Sequence, residues 1–549
     1  MTFCRLLLLA LLFLPYFSVG AFAEVRIGLE DQPELLVAEQ TAREPSAQPA
    51  ETGATTESVS AATPQPSNAS AAPAISLRQA EKIALENNLN LLAATYNTRA
   101  SQAQVDRGRG IYDPVLRVEL LSGQQKNQIN SQSLPGLTPT QFDTVTLTSD
   151  ISQQLPSGAA ISLSFNNSRT DVDSITTPPL NPEHNSDITL AIVQPLLQGF
   201  GKTVTEQEIL LSMKDREASV DDLRSEVFNL LATVRNAYYE SLRARDDLAF
   251  RVASVRVAEQ VLRENQARVE VGVLPKVELL EAEVGLKSRQ RDLLDADRIY
   301  RNALDQLALL LNSESPLQPS MNLEQQKIPL DEEEGFRTSL IHRPDLQRRL
   351  RELERIDLER TLSRDQLKPN LDLLASYGRQ GIGDGFGDSL SGLSEDDLHT
   401  WQLGLSFNYP LGNRAARSDL QRNQVRLKGK QAELQQLKAD IRTEVRLAIR
   451  QVKVAGSKIE VSRSERELAE EKLEILLGRK AVGLATTRDV LEGEQDLASA
   501  QSELVTALAD YNKAVTEYLR VTGQLLEHEG VRFAGDLNPN ADSSVFSLD

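Results

Sequence analysis

The chain is poor in the residues that build compact cores, catalytic centres and nucleic-acid surfaces. Its 549 residues include one cysteine, one tryptophan and four histidines, and aromatics make up 5%. One thiol excludes a disulfide framework within the chain and any multi-cysteine metal site. The histidines, at 184, 342, 399 and 528, form no His-x₃-His pair and no zinc constellation. No cofactor or metal is expected. So few aromatics are thin for the several compact domains such a length would hold, and an elongated molecule is expected instead. The formal charge of −19 excludes the basic field that phosphate backbones require, and with it a nucleic-acid partner.

Long apolar runs are also missing, with one exception. MTFCRLLLLALLFLPYFSVGAFAEV carries one Arg, an apolar stretch from Leu6 to Val19 and the small-x-small pattern Ala21-Phe22-Ala23. This reads as a signal peptide over 1–23, with the mature chain starting near Glu24. Cys4 would leave with it. Beyond it no stretch approaches the ~18 apolar residues of a transmembrane helix, so a membrane form must use strands. Residues 24–74, rich in Ala, Pro, Thr, Ser, Gln and Glu, read as a disordered arm.

What the chain does have is helical periodicity on an unusual scale. From Lys202 to Val271 there is neither Gly nor Pro, and Ile209, Met213, Val220, Leu223, Val227, Leu230, Val234, Tyr238 and Leu242 recur at helical spacing. The expected helix is roughly 105 Å long at 1.5 Å per residue, too long for a globular domain. Residues 412–477 repeat the pattern. Shorter helices are expected over 77–112, 276–312, 337–368 and about 487–525, so two short helices would flank each long one in coiled-coil fashion. The chain therefore divides into a first repeat at 75–312, a linker at 313–336, a second repeat at 337–526 and a tail at 527–549.

Between the first short helix and the long helix of each repeat, the period changes to two. Leu371, Leu373, Ala375 and Tyr377 alternate, a Gly-rich polar loop follows, and Trp401, Leu403, Leu405, Phe407, Tyr409 and Leu411 alternate again. Pro369 and Pro410 mark the borders of these strands, which fall within 370–411. In the first repeat Pro114 and Pro195 bound the region 115–195, with alternation near 115–121, 144–155, 159–165 and 187–193. The flanking helices run in opposite directions, so the strand number must be even: two or four. So few strands leave open edges, and about eight are needed before a barrel has a filled interior, so several copies would pool their strands. The competing reading is a soluble sheet capping a helical rod.

The segments ISLRQAEKIALENNLNL (75–91), IVQPLLQGFGK (192–202), VRNAYYESL (234–242), RVEVG (268–272), HRPDL (342–346) and RKAVGLATTRDVL (479–491) together make the chain resemble the TolC family of outer-membrane efflux proteins. The likeness spans about residues 75–526. It departs from the family in NNL at 87–89, where NNP is usual, and in an apparent extra hairpin at 144–165.

The resemblance implies a fold that is mainly α with membrane β: a TolC-like homotrimer whose protomers each give four strands to a twelve-stranded barrel in outer-membrane lipid. Long antiparallel helices would form an α-helical barrel reaching into the periplasm. It implies no catalysis, and two partners: a periplasmic adaptor protein and an inner-membrane transporter. The function expected is conduction for tripartite efflux or export. A type I protein-secretion role, or a non-conducting periplasmic scaffold, are the alternatives.

RVEVGVLPKVELLEAE at 268–283 and RKAVGLATTRDVLEGE at 479–494 share residues at equal offsets and fall where each long helix must turn back. Gly272 and Gly483 suit a left-handed helix terminus, Pro275 suits the first turn of the next helix, and Thr486 with Asp489 reads as a cap. By the family motif, Arg268, Val271 and Gly272 with Arg479, Val482, Gly483 and Leu484 would dock the adaptor. Asp489 and Glu492, with Glu278 in the corresponding place, would form an acidic entrance gate. The bland account of these acids is stabilisation of the helix dipole. Ala485 stands where the family places an arginine.

Gly387-Asp388-Ser389-Leu390, followed by Asp396 and His399, imitates a hydrolase motif, but all of it lies in one loop without an α/β sheet to present it. The acids of that loop lack EF-hand spacing for Ca²⁺. GIGDGFG has Phe386 where a dinucleotide fingerprint needs its last glycine.

Overall fold

The structure is a computed structural model that describes residues 74–127, 140–173, 178–314, 317–395, 397–528, 530–533 and 546–548. The expected signal peptide and all but the last residue of the expected arm lie outside these. The first half runs β1 (Ala74–Ile75), α1 (Leu77–Asn87), α2 (Leu89–Arg109), β2 (Val115–Asn127), β3 (Thr140–Gln154), β4 (Ala160–Asp173), β5 (Glu183–Pro195), α3 (Lys202–Thr205), α4 (Gln207–Glu270) and α5 (Lys276–Leu311). The linker holds β6 (Gln318–Pro319), parallel to β1. The second half runs α6 (Glu332–His342), α7 (Pro344–Asp365), β7 (Asn370–Gly383), α8 (Phe386–Glu395), β8 (His399–Asn408), α9 (Arg414–Ala481) and α10 (Thr487–Thr522). A short α11 (Leu525–His528) and the strands β9 (Val531–Phe533) and β10 (Phe546–Leu548) follow.

The helices correct the sequence expectation at four points. The helix expected over 202–271 breaks at Glu206, whose carboxylate accepts a 3.0 Å hydrogen bond from the Tyr112 hydroxyl. The helix expected over 77–112 breaks at Asn88, which leaves the helical region and caps α2 by accepting from the backbone N–H of Asn90 and Leu91. In the second half Arg343 has nearly the same backbone conformation and is followed by Pro344 at the first turn of α7. The NNL departure is thereby explained, because the Asn88 cap starts the helix without a proline. Helix α6 also begins at Glu332, inside the expected linker, because the Asp331 carboxylate accepts from the Glu334 N–H.

The two long helices have 64 and 68 residues, about 96 and 102 Å at 1.5 Å per residue. Next to the strands, the main packing runs α2 on α4, α4 on α7 and α7 on α9. At the opposite end it runs α5 on α4, α4 on α10 and α10 on α9. Each helix thus meets the next in a row, and the row makes a wall with α9 along one border.

The largest core lies midway, where Leu231, Val234, Tyr238 and Leu242 of α4 meet Ala80 and Ala84 of α1, Ile441, Val445 and Val452 of α9 and Val515 of α10. Within it Arg235 pairs with Glu81 at 3.4 Å and donates to Thr516 Oγ1 at 3.2 Å; Arg235 is 1% exposed and Glu81 0%. The Tyr238 hydroxyl donates to the Ile75 carbonyl at 2.9 Å. Two separate sequence signatures, ISLRQAEKIALENNLNL and VRNAYYESL, therefore meet in one buried polar contact.

The strands form one antiparallel sheet in the order β2-β3-β4-β5-β7-β8. Of the two strand numbers allowed for the first repeat, the structure has four, so the chain has six strands in this sheet where the family resemblance implies four. Residues directly opposite share a face, and one row crosses all six strands as Leu116, Ile151, Leu163, Leu190, Tyr377 and Trp401. Val118, Phe165, Ile188, Leu373 and Leu405 lie on the same face. The other face is mainly polar, with Thr148, Ser164, Ser376 and Gln402, the carboxylates Glu119, Asp150, Asp187 and Asp372, and Arg117, among which Leu121, Phe142, Val193 and Leu374 are scattered.

The Gly-rich loop expected after Tyr377 is instead the end of β7 followed by α8. Helix α8 lies against the sheet because β7 has no side chains under it: a Cβ at Gly381 would come within 2.3 Å of the Ser389 carbonyl oxygen. At Gly383 it would meet Asp388 and Ser389 at 2.6–2.8 Å.

Candidate functional site

The two helical hairpins α4–α5 and α9–α10 turn at the end of the molecule away from the sheet, and each turn is closed the same way. Gly272 takes φ +76 and Gly483 φ +78, the left-handed conformation open to glycine. One residue on, the Val273 N–H donates to the Arg268 carbonyl and the Leu484 N–H to the Arg479 carbonyl, both at 2.8 Å. These bonds satisfy helix-end carbonyls in a Schellman closure. The repeated Arg and Gly at equal offsets are the two ends of that closure.

The chain restarts differently after each turn. Pro275 is the extended residue before α5 rather than part of its first turn. Thr486 caps α10 through a capping box with Asp489, whose carboxylate accepts from both the Thr486 N–H and hydroxyl at 2.8 Å. Those bonds hold the Asp489 carboxyl below its ordinary value.

Glu278 does something else: its Oε2 accepts from the Thr487 N–H at 3.0 Å, so the first hairpin caps a helix of the second. Beside it Asn265, fully buried, donates to the Glu278 carbonyl at 3.1 Å and to Thr487 Oγ1 at 2.7 Å. Glu492 is exposed on a groove that also includes Val277, Leu280, Glu281 and Arg488. The three expected gate acids therefore share one end of the molecule, but Asp489 and Glu278 are engaged as caps while Glu492 is open to solvent.

Of the expected docking residues, Val271, Val482 and Leu484 are about 70% exposed. Arg479 reaches towards the Leu484 carbonyl at 3.4 Å. Val273, not among those expected, is as exposed as Val271. It was legible as the position equivalent to Leu484 in the second turn.

Sequence reasoning also missed the polar tie between the hairpins. Arg289 of α5 pairs with Glu494 of α10 at 3.3 Å and donates to the Leu491 carbonyl at 2.6 Å. Both side chains are buried, and burial pushes the Glu494 carboxyl up against the opposing pull of Arg289. Its repeat counterpart Glu283 is exposed, so the offset match that highlighted both acids concealed opposite environments. Gly285 allows the approach, since a Cβ there would stand 2.7 Å from Leu491. Lys480 is also buried, with no hydrogen-bond partner for its ammonium among the described residues, and desolvation lowers its pKa.

A family model described as outer membrane efflux protein matches residues 160–313 and 336–524, more than half of the chain. The chain belongs to the outer membrane efflux protein family. No curated protein sequence matches it. Among solved structures, it is similar to the CmeC outer membrane channel of Campylobacter jejuni, at 17% identity and a TM-score of 0.59, over 82% of this chain and 86% of that one. The VceC outer membrane protein of Vibrio cholerae shows 17% identity and a TM-score of 0.60 over 81% and 96%. The MtrE outer membrane channel of Neisseria gonorrhoeae shows 18% and 0.57 over 82% and 89%. At such identities the likeness speaks for the fold, the TolC-like arrangement of long helices and antiparallel strands.

This member of the outer membrane efflux protein family does not present its hydrolase-like motif for chemistry. Ser389 is fully buried in α8, its hydroxyl 2.9 Å from that of Ser186. His399 is exposed at the start of β8, and Asp396 lies outside the described residues. No described helix is long and apolar enough to cross a membrane.

Proposed function

We propose that the protein is the outer-membrane channel of a tripartite efflux or export machine, working as a homotrimer with a periplasmic adaptor and an inner-membrane transporter. The observation that carries this reading is the sheet: one face has an apolar band across all six strands, the other is mainly polar, and neither edge strand has an outer partner among the described residues. Leu116, Val118 and Leu120 on β2 and Trp401, Leu403, Leu405 and Phe407 on β8 are each more than 60% exposed. Water would penalise such a surface, whereas lipid would bury it, and a polar lining on the other face suits a water-filled bore. Three copies pooling their strands remove the edges.

The helices support the same assembly. On α9, the border of the wall, Leu447, Val454, Val461, Leu468 and Ile475 are exposed at strict seven-residue intervals. A seven-residue apolar repeat is the seam of a coiled coil, and here it awaits a helix from another copy. At the tip, the exposed Val271, Val482 and Leu484 with Arg268, Gly272, Arg479 and Gly483 would meet the adaptor. Glu278, Asp489 and Glu492, in three copies, would concentrate negative potential in a narrow entrance.

Fractionation tests the reading. The protein should remain with the outer membrane, require detergent for extraction and migrate as a heat-modifiable trimer. Release by buffer alone, as a stable monomer, would support a periplasmic scaffold instead.

A further inference from the structure

The apolar band crosses β2 and β3 as well as the four strands that the family match includes. That match begins at Ala160, the first residue of β4, so β2 and β3 lie outside it. They are nevertheless paired in register to the rest of the sheet along their length, from Val115↔Ser152 to Asn127↔Thr140 and from Gln141↔Asp173 to Gln154↔Ala160. Their apolar residues Leu116, Val118, Leu120, Leu147 and Ile151 extend the face that carries Leu163, Leu190 and Trp401. A hairpin folded away from the barrel would leave those side chains in water and break the β3–β4 ladder.

The band also has the slant that a closed barrel needs. In β2 the apolar residues run from Leu116 away from the helical wall, to Leu120; in β8 they run from Trp401 towards the wall, to Phe407. Leu116 and Trp401 share one row of the sheet, so the band crosses the rows diagonally. Strands tilted ~35–45° to a barrel axis produce such a slant when the band lies level in a membrane. The two edges also start together: β2 begins directly after Pro114 and β8 ends two residues before Pro410. Aligning these ends sets Val115 opposite Asn408 of the next copy, with Leu116 facing Phe407 and Val118 facing Leu405, apolar against apolar.

We propose that the barrel contains eighteen strands, six from each copy, with β8 of one copy paired antiparallel to β2 of the next. This rests on the three-copy reading above. Because barrel diameter grows roughly linearly with strand number, the outer passage would be about one and a half times as wide as one built from four strands per copy. Strand numbers of 16–18 leave an open aqueous channel, so selection among solutes would fall to the helical end.

Cysteine pairs on the polar face test the seam, in a chain whose natural cysteine is replaced by Cys4→Ser. Arg117→Cys, Glu119→Cys and Leu121→Cys are each combined with Ser406→Cys, and Ser162→Cys with Ser406→Cys reports the seam of a twelve-stranded barrel. Oxidation of membranes should link copies through at least the Arg117→Cys pair, reversibly by reductant, and not through the Ser162→Cys pair. Intact trimers linked through Ser162→Cys, or through none of the β2 positions, would overturn the eighteen-stranded barrel alone. Absence of trimers would overturn the pooled barrel itself. A strand count by electron microscopy of the detergent-extracted trimer should give eighteen, and twelve would refute the proposal.

Discussion

Single residues here are held by what they satisfy. Asp489, Glu278 and Asn265 fill the open N–H groups and hydroxyl at the start of α10, and the Arg268 and Arg479 carbonyls close the preceding helices. Held below its ordinary value, the Asp489 carboxylate supports the fold when ionised. That support is present above its unfolded pKa and is lost as pH falls through the lower folded one. The Glu81–Arg235 pair acts more strongly because water cannot replace either partner. Glu81→Ala should destabilise the protein by about 3–5 kcal/mol, since it strands a buried guanidinium. Glu86→Ala, which removes only an exposed 3.9 Å contact with Lys82, should cost at most about 1 kcal/mol. Thermal unfolding followed by circular dichroism would compare the two, and equal midpoints would contradict the role given to the buried pair.

Elements are legible in the sequence to the degree that local physics determines them. Gly- and Pro-free helical periodicity marks α4, and prolines mark the borders of β2, β5, β7 and β8, because proline ends a helix whatever packs around it. The breaks at Asn88 and Glu206 were hidden, since each depends on a polar side chain that also suits a helix interior. Over helix α8 the glycines of the sequence signal a loop; the structure uses Gly381 and Gly383 in the strand beneath it to let a helix lie close. The acids expected at the entrance stand out by their offsets, whereas Arg289 and Asn265 give no signal, since the partners they tie across the hairpins, Leu491 and Thr487, lie more than two hundred residues away. The seven-residue stripe on α9 is an element with no function inside one chain. Val454→Glu with Val461→Glu and Leu468→Glu should leave the helical content unchanged and abolish trimers in sizing with mass detection. Trimers that persist in this variant would dissociate the stripe from assembly.

At the largest scale, the described residues from Ala74 onwards form a wall of helices continued by a two-faced sheet, and both parts have borders with exposed apolar surface. In the proposed assembly, several copies around an axis would cover the α9 stripe, pair β2 with β8 and turn the mainly polar face inwards, where Glu119, Asp150, Asp187 and Asp372 outnumber Arg117. A solid bundle of the same helices would leave that polar face with nothing to line. The direct measurement is ion conduction by the purified protein in planar lipid bilayers. Discrete cation-preferring current steps are expected, enlarged and less sensitive to cation block when Asp489→Ala and Glu492→Ala are combined. Bilayers that stay silent with correctly assembled protein, wild type and variant alike, would contradict a hollow conduit.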